Sequence, residues 1–91
     1  MTMDQQIPIS LRFFASVRET LGTSEEALTL PAGIATVGAV RLLLAARGGV
    51  WADALGEGRV LRTACNQVMC SPDAALQDGC EVAFFPPVTG G

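Results

Sequence analysis

Hydrophobic and polar residues alternate from Ile7 to Phe14, with Ile7, Ile9, Leu11 and Phe13 on one face and Ser10, Arg12 and Phe14 on the other. That is the period of a half-buried strand, and Pro8 is tolerated at an edge or near a strand start. Ala15 to Leu21 reads as a short helical turn closed by Gly22, which adopts the left-handed C-cap conformation at little cost. Alternation resumes at Glu26 to Leu30, a second strand ended by Pro31 and Gly33, so the chain opens on a hairpin. Thr36 then stands as N-cap to a helix whose Val37, Val40, Leu43 and Leu44 share one stripe and which Gly48 and Gly49 stop. Gly38 weakens this helix by roughly 1 kcal/mol relative to Ala, so packing of the stripe must hold it. Trp51 and Leu55 continue as a short irregular or helical turn broken by Gly56 and Gly58.

Val60 to Ala64 reads as a third strand and Val68 to Cys70 as its short partner, reversing at Asn66 and Gln67. Leu76 and the turn Asp78-Gly79 feed a last strand, Cys80 to Phe85. Along it Cys80, Val82 and Phe84 share one face, and Glu81, Ala83 and Phe85 the other. Pro86 and Pro87 end the ladder because neither donates a backbone hydrogen bond. The order of elements predicts an α+β domain with one main helix packed across one face of a mixed sheet. Each aromatic pair, Phe13/Phe14 and Phe84/Phe85, then places one ring in the core and one on the uncovered side. With Phe13 and Phe84 inside, Phe14 and Phe85 are surface candidates, and aromatics grouped on an exposed sheet face mark a protein interface. The alternative is that loops cover both rings.

Composition narrows the functions open to such a domain. The chain has 91 residues, six basic against nine acidic, and a net charge of -3. A domain this small leaves little room for an internal active site, and its acidic balance argues against nucleic acid as partner. All six basic residues are Arg; without His or Lys the usual general base is missing and hydrolase triads are excluded. Cys65, Cys70 and Cys80 are odd in number, and Met1 to Pro8 has neither the basic start nor the apolar run of a secretion signal. We expect a cytoplasmic protein with reduced thiols. Val40 to Ala46, interrupted by Arg41, is too short to span a membrane. Cys65 and Cys70 have the Cys-x4-Cys spacing that opens plant-type iron–sulfur sites, but position 73, where the next ligand is due, is Asp73. Three Cys and no His close neither a four-thiolate cluster nor a Cys/His zinc site, so no metal is expected. The thiols read as small buried hydrophobes, Cys80 above all. Asp78 and Glu81 read as solvated turn and strand positions, and Arg12, Arg59 and Arg62 as facing water.

The C-terminus is where the chemistry concentrates. Pro86 and Pro87 favour an extended chain, and six residues at roughly 3.1 Å each project the end by up to ~20 Å. Gly90 and Gly91 lack side chains and fit a tunnel that other residues would block. The dipeptide alone suits a frayed end, but a buried strand that runs into Pro-Pro and stops two glycines after Val88-Thr89 is far more constrained. This geometry suits a carboxylate presented to another protein's active site. Adenylation by ATP would convert the inert carboxylate to a mixed anhydride, and a sulfur donor would then leave a thiocarboxylate.

Three segments, Phe13-Phe14-Ala15-x-Val17-Arg18-Glu19, Asn66-Gln67 and Leu76-x-Asp78-Gly79-x-Glu81-Val82-Ala83-Phe84-Phe85-Pro86-Pro87-Val88-Thr89-Gly90-Gly91, carry a resemblance to a known family. The chain resembles the small, sulfur-carrying subunit of molybdopterin synthase, a ubiquitin-like β-grasp protein, over nearly its whole length after the first six residues. The resemblance implies a β-grasp domain over 7–85 and a flexible extended tail over 86–91, and leaves 1–6 as an N-terminal extension outside it. It implies that an adenylyltransferase related to the ubiquitin-activating class consumes ATP to activate Gly91, which then becomes a thiocarboxylate. The tail would insert into the large subunit of molybdopterin synthase, in a two-plus-two heterotetramer, and deliver sulfur to cyclic pyranopterin monophosphate. In that scheme Gly91 carries the sulfur, Gly90 gives clearance, Pro86, Pro87, Val88 and Thr89 form the lead, and Phe14 and Phe85 belong to the docking surface. The carrier alone is not a catalyst and holds no tightly bound cofactor; sulfurtransferase activity belongs to the complex. Cys80 departs from the acidic residue common after the Asp-Gly turn, and Cys65, Cys70 and Met1–Gln6 lie outside the shared pattern. Rival readings are a thiamin-type sulfur carrier, typically shorter and lacking the Phe-Phe-Pro-Pro lead, a ubiquitin-like modifier joined through Gly91 to lysines, and a passive interaction domain.

Overall fold

The alternating segment Ile7–Phe13 is strand β1 in the computed structural model, which describes residues 6–87. Ile9, Leu11 and Phe13 are buried and the residues between them are more exposed, as the two-residue period requires. The strand stops one residue short of expectation because Phe14 becomes the N-cap of helix α1 (Ala15–Leu21) and donates its N–H to the Phe84 carbonyl at 3.2 Å. Gly22 closes α1 at φ 78°, its N–H bonding the Arg18 carbonyl at 2.8 Å. Strand β2 (Glu25–Leu30) returns antiparallel to β1 and begins one residue early, since Glu25 pairs with Arg12 across the ladder.

Helix α2 (Val37–Ala45) starts where Thr36 accepts the Ala39 N–H at 3.2 Å, and it buries Val37, Val40 and Leu44 completely. Gly38 has a packing reason to be there: a Cβ would lie 3.1 Å from the Pro72 Cβ and 3.2 Å from its carbonyl oxygen, which accepts the Gly38 N–H at 2.8 Å. The Trp51 segment is a helix, α3 (Val50–Leu55). Its end is held by Arg41, whose Nε donates to the Leu55 carbonyl at 2.7 Å and whose Nη2 donates to those of Gly56 at 2.7 Å and Arg59 at 2.6 Å. Those donors satisfy carbonyls that a helix end leaves open. Arg47 lies 4.4 Å over the Trp51 ring and makes two hydrogen bonds, 3.0 and 2.7 Å, to the Glu26 carboxylate, which raises the Arg47 pKa further above its already high ordinary value.

Strand β3 (Arg62–Cys65) starts later than the expected Val60 and runs one residue past Ala64. Its outermost rung pairs Arg62 with Phe85; the next hydrogen-bonded rung, Val60 with residue 87, would require an N–H that Pro87 lacks, so Val60 and Leu61 stay off the ladder. Asn66 and Gln67, at φ 51° and 70°, make the tight reversal into β4 (Val68–Cys70). Strand β5 (Glu81–Phe85) begins one residue after the expected Cys80, whose N–H turns back to the Gln77 carbonyl. The sheet order is β2-β1-β5-β3-β4, with β1 and β5 parallel and the other pairs antiparallel. The mixed α+β architecture is therefore as expected, with three helices among the described residues, of which α2 is the longest. Phe13 and Phe84 stack at 6.3 Å in the core between sheet and helices, and Trp51 meets Phe13 edge-on at 5.8 Å. No helix among the described residues is long and apolar enough to cross a membrane.

Candidate functional site

The face of the sheet away from α2 collects what alternation sends outward. Phe14 is 40% exposed, Phe85 is half-buried, and their rings meet edge-to-face with centroids 6.4 Å apart. The two sequence-predicted surface aromatics are thus brought together, and loops do not cover Phe14. Arg12 corrects one expectation: it does not simply face water. It pairs with Ala83 on β5 and Glu25 on β2, so its guanidinium sits 5.6 Å from the Phe14 ring centre, 3.9 Å from the Glu25 carboxylate and 3.8 Å from that of Glu81. Arg59 is likewise engaged, donating to the Asp53 carbonyl at 2.7 Å because the chain turns at Gly56 and brings it back to α3.

Met69 was not singled out by the sequence pattern. It pairs across the ladder with Ala64, which pairs in turn with Ala83, so Met69 shares the face of Phe14 and Phe85 and is 53% exposed. The signal lay in the three-residue strand β4: with Cys70 facing Thr63 on the core side, Met69 must face outward. The small side chains of Ala64 and Ala83 let the larger groups around them stand proud of the face. Arg62, opposite Phe85, is exposed at its margin.

β5 lies between β1 and β3, so the chain leaves the domain from the middle of the sheet. Pro86 and Pro87 are half-buried, and Pro86 lines a small cavity of about 90 Å³ with Val17, Thr20 and Leu61. The lead thus begins wedged between α1 and the segment entering β3. The expected sulfur-bearing Gly91, with Gly90, Val88 and Thr89, lies outside the described residues, as do positions 1–5 of the N-terminal extension. Among the described residues no group of three or more His, Cys, Asp or Glu is placed to hold a metal ion. Neither His nor Lys occurs in the chain, so no imidazole or side-chain amine stands beside the exit strand.

A mixed sheet of this order, crossed by a helix and ending in a central strand, defines a ubiquitin-like β-grasp protein. Its backbone is similar to that of the Haloferax volcanii HVO 2177 protein, with a TM-score of 0.79 and 30% identity over 100% of this chain and 92% of that one. It also shares the fold of a chain in the complex of subunits 1 and 2 of molybdopterin-converting factor from Helicobacter pylori, with TM-score 0.61 and 24% identity over 93% and 100% of the two chains. The model of the ThiS family matches residues 11–91. The molybdopterin synthase sulfur carrier subunit of Escherichia coli (strain K12) is 51% identical over 83 residues, which are 91% of this chain and 99% of that relative. The chain belongs to the ThiS family, among its molybdopterin synthase sulfur carrier subunits.

Proposed function

We propose that this protein carries sulfur as a thiocarboxylate on Gly91 and delivers it inside a complex with the large subunit of molybdopterin synthase. The observation that carries this reading is the placement of the exit strand. β5 is the central strand, anchored on both sides, and it ends in Pro86-Pro87 beside the open face bearing Phe14, Met69 and Phe85. A partner docked on that face would receive the tail in a fixed direction. The Helicobacter pylori relative in fold was solved in a complex of subunits 1 and 2 of molybdopterin-converting factor, which supports a second-subunit partner.

The chemistry follows from what the chain lacks. In an adenylyltransferase the Gly91 carboxylate attacks the α-phosphorus of ATP, pyrophosphate leaves, and the acyl carbon becomes electrophilic. A sulfur donor then displaces AMP and leaves the thiocarboxylate. No side-chain amine of this protein competes, because it has no Lys. In the large subunit the thiocarboxylate sulfur attacks the cyclic pyranopterin substrate. Gly90 gives the end clearance, while Pro86, Pro87, Val88 and Thr89 set its reach. Phe14 and Phe85 supply the aromatic anchors that docking would bury, the residue type that dominates interface energies.

The test is reconstitution with activating enzyme, ATP, sulfur donor and large subunit. Deleting Gly91, or extending the chain by one residue beyond it, should abolish sulfur transfer while the denaturation midpoint stays that of the parent. A permanently extended protein that still transfers sulfur would overturn the proposal.

A further inference from the structure

The start of α2 and the open end of the β3–β4 hairpin, away from its Asn66-Gln67 turn, enclose a cavity of about 530 Å³. Small-molecule sites occupy about 300–1,000 Å³, so the cavity has the size of one. The fold fixes its walls. Gly38 donates its N–H to the Pro72 carbonyl at 2.8 Å, Val37 to that of Ala74 at 3.1 Å, and Leu76 to that of Ala35 at 2.9 Å. These bonds strap the segment after β4 to the helix start, so a ligand entering there has little chain to order.

Arg41 and Arg62 line the cavity from its helix and strand sides, and no Asp or Glu lines it. The ion pairs among the described residues belong to Arg12 and Arg47, so neither Arg41 nor Arg62 has a carboxylate partner there. Arg41 is half-buried and pinned by three main-chain carbonyls, which occupy its Nε and Nη2. Its Nη1 makes no hydrogen bond among the described residues and, unlike Arg12 Nε, is not sealed from solvent. Arg41 thus holds an unspent pair of N–H donors on a charge that cannot swing away. Arg62 is exposed, and so is Ser71, which adds a hydroxyl at the mouth. Val37, Leu61 and Pro72 make the remaining wall apolar.

We propose that this cavity binds a small phosphomonoester with a compact apolar body. Charge selects the head group. Two guanidiniums without a carboxylate match the charge of about −1.5 to −2 on a phosphate at neutral pH better than the single charge of a carboxylate, and their planar forks suit its oxygens. Volume selects the body. A phosphate alone leaves most of the 530 Å³ unfilled, whereas a ring attached to it can cover Val37, Leu61 and Pro72. The ligand would be held without Phe14, Phe85 or the tail, so this inference stands independently of the sulfur-carrier reading.

The experiment titrates phenyl phosphate into the isotope-labelled full chain and follows backbone and arginine side-chain NMR signals, with inorganic phosphate and benzoate as comparison ligands. Saturable shifts should centre on Gly38, Arg41 and Ser71. Phenyl phosphate should bind at least about tenfold more tightly than either comparison ligand, and Arg62→Gln should weaken it by about tenfold, the loss expected for a hydrogen-bonded charge. Because Arg62 is exposed, that variant should keep the denaturation midpoint of the parent. Mapping on the unsubstituted chain locates the site without any change to Arg41, which also holds the end of α3. No shift at the cavity with millimolar phenyl phosphate would overturn the proposal. So would shifts spread equally over Arg18 and Arg59, benzoate or inorganic phosphate bound as tightly as phenyl phosphate, or an Arg62→Gln variant of undiminished affinity.

Discussion

Adjacent Phe84 and Phe85 should respond in opposite ways to truncation, and the structure sets the sizes. Phe84 is fully buried against Phe13, so Phe84→Ala removes a core ring and should cost about 3–5 kcal/mol. For a domain whose whole stability is on the order of 5–10 kcal/mol, that is a large share. Phe85 and Phe14 stand on the open face, where each ring's main aromatic partner is the other. Their edge-to-face contact contributes about 0.5–1.5 kcal/mol, and Phe85→Ala or Phe14→Ala should cost about 1–2 kcal/mol in all. With a urea slope of about 1 kcal/mol/M, the first variant moves the midpoint by about 3 M or more and the others by about 1–2 M. A double-mutant cycle on Phe14 and Phe85 should recover the coupling. The same two outer-face variants should weaken large-subunit binding at least about tenfold, or about 1.4 kcal/mol, measured by titration calorimetry. Equal destabilisation at 84 and 85, or Phe85→Ala with undiminished affinity for the large subunit, would refute the assignment of faces and roles.

Other outcomes follow from single contacts. Arg41→Ala should lower stability by about 2–3 kcal/mol in urea titration, because three carbonyls around the end of α3 lose a charged donor, and Arg41→Lys should restore little of it since an ammonium lacks the planar fork. Gly56→Ala should cost about 1–3 kcal/mol by the same assay, as its Cβ would lie 2.5 Å from the Ala52 carbonyl oxygen. The Cys65 thiol is raised from its ordinary 9.0 in the folded state, so it holds its proton where the unfolded chain has lost one. Reduced protein should keep its full stability below that value and lose some as pH climbs past it, and Cys65→Ala should flatten the alkaline decline.

The elements whose type was legible in the sequence are those whose local period and packing agree. The Ile7–Phe13 alternation, the Val37/Val40/Leu44 stripe and the split of both Phe pairs all appear in the structure because one face of each is buried. Strand limits were less legible, since they depend on a neighbour: β3 begins only at Arg62 because Pro87 follows the adjacent strand and cannot donate to Val60, which no property of Val60 or Leu61 reveals. Gly38 read as a helix weakness and is a close contact with a loop distant in sequence. Arg12 and Met69 escaped for the same reason; what each faces is set by cross-strand register, which a single strand's pattern leaves open. The tail motif made the family legible, because its pattern lies in consecutive residues, and the ThiS family match over residues 11–91 bears that membership out.

Intact-mass measurement of the protein coexpressed with its activating enzyme tests the central claim most directly. We predict a species heavier by the difference between sulfur and oxygen, with the replacement mapped to the C-terminal peptide and lost when Gly91 is deleted. A mass that stays that of the free acid, under conditions in which a control carrier is converted, would contradict the account.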